Sequence, residues 1–491
     1  MTFRASGKVS YSKISKNEVL IKLISVIFLV LLTLQICTMN ELQLIQKYNV
    51  PGPRYTSYPT VPFWKKLPLE PSEWLKKLEL KMQQGVLSLG IYIHLPFCES
   101  LCTFCGCHKR ITKNHNVELP YIDTVIKEWN LYQPYLVKGV QIKELHLGGG
   151  TPTFFAPSAL KRLIEGIIDN KNLHKELCEL SFEAHPGATS QAHLIELYHL
   201  GFRRVSFGIQ DYNPKVQKAI HREQSFELVK EVHLSAKGLG YRINHDLVYG
   251  LPFQELDGFS DTIDKTIELM PDRIALYSYA HVPWIKGTGQ RGYDEGNLPQ
   301  DKEKRALYEM AYFKLLKAGY ISIGMDHFAL PNDSLSKAFK NKALHRNFMG
   351  YTHQKTDVLL GLGMSAISDA WIAFAQNNKT VEGYQNQIAK GELAIFRGHF
   401  LDEQELILRR HILDLMCHFE TKWDPSQAAQ GFYDDIKIRL NELFTDQLMS
   451  FDEEKLSILS KGKPFVRNVC MAFDLYLARQ LPNQQLFSST I

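Results

Sequence analysis

Between Tyr92 and His108 the chain reads YIHLPFCESLCTFCGCH, placing four of its eight cysteines, Cys98, Cys102, Cys105 and Cys107, within ten residues. Thiolates are soft ligands suited to zinc or iron–sulfur clusters, and ligands this close along a loop can converge on one centre without help from the rest of the fold. A disulfide framework does not suit so long a chain, and Cys37, Cys178, Cys417 and Cys470 are scattered without pattern, which reads as a reducing compartment. A structural zinc site using Cys98, Cys102, Cys105 and either Cys107 or His108 stays open, although such sites usually pair two separated knuckles and no second one follows. The spacing Cys98-x3-Cys102-x2-Cys105 offers three ligands directly after a strand-like run. Three protein ligands on a four-iron cluster leave one iron open, and an open position separates a reactive site from a closed structural one.

Two further patterns fit that chemistry. HLGGGTPT (146–153) ends a second strand-like run with three glycines, which let backbone approach a ligand closely and leave amide donors free; no Gly-Lys-Ser/Thr follows, so it is not a phosphate loop. Glu183, Gln210 and Asp246 fall in or at the ends of the next three runs, and in a parallel α/β barrel the C-terminal strand ends share one mouth. GLGMSA (361–366) matches a dinucleotide fingerprint by spacing, but its strand and ribose-binding acid are not at the expected distance; shaping the floor near Ile367 is its better role.

The elements that must hold these residues follow from periodicity. At 491 residues, 45% hydrophobic and 22% charged with a net charge of +5, the chain has ordinary globular composition and no basic run of the kind that binds nucleic acid. Short β-rich runs at 89–95, 142–147, 180–185, 203–209, 242–250 and 272–280 alternate with stretches whose apolar residues recur at three and four. Six strands alternating with helices predict an α/β fold, a partial (β/α)6 parallel barrel. Sequence after about 285 reads as mainly helical, and PNDSLSKAFKNKALHRN (331–347) as a surface loop. Near the start, LISVIFLVLLTL (23–34) follows Lys8, Lys13, Lys16 and Lys22, like a signal peptide or short anchor, but is short for a span of about 20 residues.

The three-cysteine loop followed by the glycine-rich strand end resembles the signature of the radical S-adenosylmethionine enzymes. Together with GPRYTSYPT (52–60), FCGCHK (104–109), GMDHFA (324–329), LHRNFMGYT (344–352) and RNVCMAFDLYL (467–477), it resembles their oxygen-independent coproporphyrinogen III dehydrogenase (oxidase) family, from about Met39 to the end. The resemblance implies one 4Fe-4S cluster on Cys98, Cys102 and Cys105, with Cys107 a non-ligand. It implies S-adenosylmethionine contacts at Tyr92, Phe104, Gly149, Glu183 and Ile367, and a second S-adenosylmethionine against Gly150, Thr151, Gln210, Arg222, Asp246 and Ala280. His185, Gly187 and Ala472 depart from what relatives more often show, without touching a ligand. The substrate implied is coproporphyrinogen III, whose carboxylates call for cationic partners; His327 and Arg346 are candidates, and an ordinary surface role fits them equally. The implied protein is a cytoplasmic monomer fed by a small reducing electron-transfer protein, passing electrons to an unidentified acceptor. Its expected domains are an apolar extension at 1–38, a lid segment at 39–88, the partial barrel at 89–370 and a mostly helical domain at 371–491, with the functional chain starting at Met39. A heme-binding trafficking protein of the same superfamily is the alternative, against which Cys107 and PRYTSYPT argue.

Overall fold

The computed structural model describes residues 43–64, 69–85, 88–168, 178–282, 290, 292–479 and 486–490. The extension at 1–38 and its apolar run lie outside the described residues, among which no helix is long and apolar enough to cross a membrane. The chain divides into two compact units, residues 1–50 and 51–491. In the first, residues 43–48 are helical; every element named below belongs to the second.

The six runs read from the sequence are strands: β1 (Ser88–Leu95), β2 (Gln141–Gly149), β3 (Glu179–Ala184), β4 (Arg204–Gln210), β5 (Arg242–Tyr249) and β6 (Arg273–Ser278). They pair in parallel in that order. Seven of the eight residues of β1 are buried, the near-continuous apolar pattern of a strand covered on both faces. The connecting helices α1 (Glu118–Tyr132), α2 (Pro157–Ile167), α3 (Gln191–His199), α4 (Phe226–Leu239) and α5 (Leu256–Leu269) supply that cover. In α2, Leu160, Leu163, Ile164 and Ile167 recur at three and four and are buried, while Pro157 opens the helix where its missing N–H is not needed. Ser190 caps α3 through the His193 N–H; Ser225 caps α4, which ends at Gly240 with φ of 95°.

Beyond β6 the chain holds more strand than its sequence pattern suggested. After α6 (Asp301–Lys317) come β7 (Ile321–Ile323) and β8 (His327–Ala329), then the hairpin β9 (His345–Asn347) and β10 (Gly350–Thr352), and then β11 (Val358–Leu362), β12 (Ile367–Asp369), β13 (Ala373–Asn377) and β14 (Ile395–Phe400). β8 and β7 add antiparallel to β6, while β11 pairs in parallel with the free edge of β1 and leads antiparallel to β12, β13 and β14. The main sheet thus runs β14-β13-β12-β11-β1-β2-β3-β4-β5-β6-β8-β7, twelve strands with a six-strand αβ-alternating centre. Three- to six-residue strands carry too few alternations to show a period, which is why they read as helix or loop. The stretch at 331–347 is likewise not just a surface loop: it holds a helix at Ser334–Lys340, and its N-cap Asp333 is buried, accepting from Arg273 Nε at 2.6 Å. Further on, helices α7 (Glu403–His418), α8 (Asp434–Thr445) and α9 (Val466–Phe473) predominate around a small three-stranded sheet.

Candidate active site

The cysteine loop leaves the C-terminal end of β1 and is folded back by a parallel bridge between Phe97–Cys98 and Arg110–Ile111. Its interior is pinned by backbone: Arg110 N donates to Pro96 O at 2.8 Å, Thr103 N to Ile220 O at 3.0 Å, and Gln290 Nε2 to Phe104 O at 3.2 Å. Lys109 Nζ bridges the carbonyls of Cys105 and Cys107 at 3.1 and 3.3 Å. His94, buried in β1, donates from Nε2 to His108 O at 2.8 Å and accepts at Nδ1 from the Tyr92 hydroxyl at 3.1 Å, tying the far end of the loop to the strand that launches it. Burial lowers the His94 pKa and favours the neutral ring that this pairing requires.

All four cysteines line a cavity of about 450 Å³. Cys98 Sγ accepts from Thr151 Oγ1 at 3.3 Å, and Arg222 Nη1 lies 3.7 Å from Cys102 Sγ. Burial pushes the Cys98 thiol up to about 11, whereas a hydrogen bond from Cys107 draws Cys105 down to about 6. Among the described residues, no three His, Cys, Asp or Glu side chains already converge on a single ion-sized point. The thiols ring the cavity instead, with a hydroxyl and a guanidinium directed at sulfur, a donor set that fits a cluster several ångströms across taking one thiolate per iron.

Opposite the cysteines stand the strand ends. Gly149, Gly150, Thr151, Glu183, Gln210, Arg222, Asp246 and Phe104 all line the same cavity. Glu183 accepts from Gly149 N at 3.1 Å and faces His146 Nε2 at 3.5 Å. Burial alone would raise its pKa, but His146 and the Gly149 amide outweigh this and hold the carboxyl below the usual range. Asp246 accepts from Ser206 Oγ at 2.7 Å and Asn244 Nδ2 at 2.9 Å; burial still pushes it up to about 6, helped by the charge of Glu183. Arg222 Nη2 donates to Gly208 O at 2.6 Å, leaving its buried Nε without a partner among the described residues.

Three of the expected S-adenosylmethionine contacts do not line this cavity, nor do the substrate candidates His327 and Arg346. Tyr92, on the neighbouring strand β1, stacks on His146 with ring centroids 6.1 Å apart. Ala280 follows β6, its carbonyl taken by Gln290 at 3.1 Å. Ile367 opens β12, whose backbone passes 2.5 Å from where a Cβ on Gly361 would stand. GLGMSA is therefore the end of β11 and a tight turn against β12, its Gly363 amide held by buried Glu128 at 2.8 Å. His94, two residues from Tyr92 and so on the same strand face, was a legible signal that the motif reading passed over.

A parallel α/β sheet bearing a three-cysteine loop and a glycine-rich strand end at one mouth defines the class: the Radical SAM superfamily, whose family model matches residues 92–266. Enzymes of this class bind a 4Fe-4S cluster and S-adenosylmethionine. The chain is 38% identical over 462 residues to the oxygen-independent coproporphyrinogen III oxidase of Escherichia coli and 37% identical over 459 residues to that of Pseudomonas aeruginosa, each match covering 92% of this chain and 98% of the relative. The solved structure of the Escherichia coli coproporphyrinogen III oxidase, described as a radical SAM enzyme, aligns with a TM-score of 0.82 at 35% identity, over 86% of this chain and 98% of that one. The chain belongs to the oxygen-independent coproporphyrinogen III oxidase family.

Proposed function

We propose that the protein oxidatively decarboxylates two propionate side chains of coproporphyrinogen III to vinyls, giving protoporphyrinogen IX in heme biosynthesis without oxygen. The observation that carries this reading is the single cavity on which Cys98, Cys102 and Cys105 face Gly149, Glu183 and Asp246, in a chain that matches such oxidases along nearly their whole length.

Cys98, Cys102 and Cys105 would hold the cluster, with Tyr92, Phe104, Gly149, Glu183 and Ile367 serving its S-adenosylmethionine. Gly150, Thr151, Gln210, Arg222, Asp246 and Ala280 would serve a second molecule. When bound, cluster and S-adenosylmethionine supply a 5′-deoxyadenosyl radical able to take a hydrogen atom from a propionate β-carbon. That arm then loses carbon dioxide, and one electron passes to an acceptor. The chain's own part is electrostatic and steric. Ionised Glu183 is placed to receive an amino group, Arg222 sets positive charge against the sulfur side, and Gly149 keeps the strand end open to backbone approach. Water must be kept from a radical. The segment from Arg54 to Tyr58 supports such a cover, since Arg54 donates to Ser278 O at 2.7 Å and Tyr55 to Asp474 at 3.1 Å. An oxygen-sensitive cluster that must be reduced supports a cytoplasmic reading with a small reducing protein as electron donor; the monomeric state is part of the same proposal. The test is anaerobic incubation of reconstituted protein with coproporphyrinogen III, S-adenosylmethionine and a reductant. Mono- and divinyl products are expected; intact substrate beside a fully loaded cluster would refute the assignment.

A further inference from the structure

Three adjacent strands bring polar groups into one row beside the cofactor cavity. Tyr92 on β1, His146 on β2 and Ser181 on β3 are register partners across two parallel pairs, and Glu183 lies two residues beyond Ser181 on the same face of β3. The His146 ring is held at both nitrogens and on one face: Nδ1 lies 2.7 Å from Ser181 Oγ, Nε2 lies 3.5 Å from Glu183 Oε1, and the Tyr92 ring stacks on it at an interplanar angle of 18°. A hydroxyl can donate or accept, so with Ser181 at Nδ1 the Nε2 proton points at the carboxylate whether the ring is neutral or charged. Among the described residues His146 is the one basic side chain within ion-pair distance of Glu183.

The carboxylate is fixed one oxygen at a time. Oε2 accepts from Gly149 N at 3.1 Å, Oε1 faces His146, and the group lies across Gly148, where an added Cβ would meet Oε1 at 3.0 Å and Cδ at 3.1 Å. His146 reaches it from a separate chamber of about 120 Å³, which leaves the cofactor-cavity side of Glu183 to a ligand. The titratable and charged groups of that chamber are Glu144 on β2, Glu179 on β3, Arg204 on β4, Asp246 on β5, Arg273 and Tyr277 on β6, His327 on β8 and Tyr351 on β10. His94 flanks Glu183 from β1, and Lys109, Arg222 and Asp246 face the cavity side. Arg204 and Arg273 are engaged by Glu179 and Asp333, and His327 by Asp326. Glu144 shows what the chamber does to a carboxyl with no basic group at ion-pair distance among the described residues: burial, then the charge of Glu179, pushes it up to about 7.

We infer that His146, braced by Ser181, is a positioning residue for S-adenosylmethionine: it fixes the Glu183 carboxylate across Gly148 so that the open side receives the amino group of the methionine moiety. The inference rests on the role proposed above for Glu183. His146 touches no ligand and acts through that carboxylate, which must be ionised before an ammonium group can pair with it.

The experiment measures equilibrium binding of S-adenosylmethionine to the reconstituted holoenzyme at pH 6, 7 and 8, for wild type, His146→Asn, His146→Gln and Glu183→Gln. Asparagine keeps a polar group for Ser181 and loses the reach to Glu183, whereas glutamine sets an amide nitrogen near the place of Nε2. Cluster absorbance and thermal melting serve as folding controls. The ligand's own amino group titrates alike for every variant and cancels in the ratio to wild type. If Glu183 in His146→Asn rises to the level of Glu144, about one carboxyl in ten is ionised at pH 6 and about nine in ten at pH 8, so relative affinity should fall about tenfold at pH 6 and return to within about twofold at pH 8. His146→Gln should recover most of the loss, and His146→Asn should cost nothing further in a Glu183→Gln background. Unchanged affinity at pH 6, a loss independent of pH, or equal damage from asparagine and glutamine overturns the inference. Should His146→Asn fail to load its cluster, His146→Phe, which keeps a ring against Tyr92, takes its place with the same expected profile. Wild-type affinity in Glu183→Gln would refute the role of Glu183 and the inference with it; weakened binding in Glu183→Gln beside unchanged binding in His146→Asn refutes the inference alone.

Discussion

Gly149→Ala tests whether the glycine strand end is shaped by His94. Gly149 has φ of 115°, a conformation side-chain-bearing residues rarely adopt, at a strain of about 1–3 kcal/mol. An added Cβ would also stand 2.6 Å from His94 Cε1, 2.7 Å from Nδ1 and 2.9 Å from Nε2. The ring cannot yield cheaply, because it is buried and held at both nitrogens, by the Tyr92 hydroxyl and the His108 carbonyl. Overpacking of this kind adds about 1–3 kcal/mol, so the combined penalty is about 2–6 kcal/mol, a large part of typical domain stability. Moving His94 would release the end of the cysteine loop. The variant should therefore melt earlier, bind S-adenosylmethionine more weakly and load its cluster poorly. Gly106→Ala is the matched control in the same loop, since nothing lies within 4 Å of its added Cβ. Thermal unfolding, calorimetric titration with S-adenosylmethionine and the visible spectrum of reconstituted protein check all three effects. Wild-type melting and S-adenosylmethionine affinity in Gly149→Ala would refute the reasoning, as would equal damage in Gly106→Ala.

Serine at Cys98, Cys102 or Cys105 should each abolish the cluster's visible absorbance, whereas Cys107→Ser should retain it; equal loss in all four would point to a four-cysteine site. Asp246→Ala should keep the cluster spectrum and lower turnover, because the carboxylate faces the cavity from β5 and not from the loop; full activity would remove it from the site. Asp326 has its pKa drawn down to about 2: burial would raise it, but His327, Arg346 and Arg54 more than compensate. Its contribution, roughly 2 kcal/mol, is present above the unfolded pKa near 3.9 and lost as pH falls through about 2. The stability gap between wild type and Asp326→Asn, from denaturant titrations between pH 7 and pH 3, should therefore narrow toward acid, and a gap that widens there would reverse the sign of the argument.

The cysteine loop, the glycine strand end and the order of β1 to β6 were legible in the chain because each is a local pattern. Three thiols spaced along one loop share a neighbourhood whatever the rest of the fold does, and a covered parallel strand announces itself as a continuous apolar run. Glu183, Gln210 and Asp246 could be placed at one mouth because parallel strands carry their C-terminal ends to the same side. The pairing of β11 with β1, separated by more than two hundred and fifty residues, left no such mark. Nor did Asp333, whose polar surroundings in sequence read as a loop and whose partner Arg273 lies sixty residues away. The hydrogen bond from Arg346 to the Arg54 carbonyl, across 292 residues, left no mark in sequence either. The two nitrogens of Arg346 that lack a partner among the described residues do so only once distant segments have buried it, because it is their exclusion of water that leaves an otherwise solvated guanidinium unsatisfied.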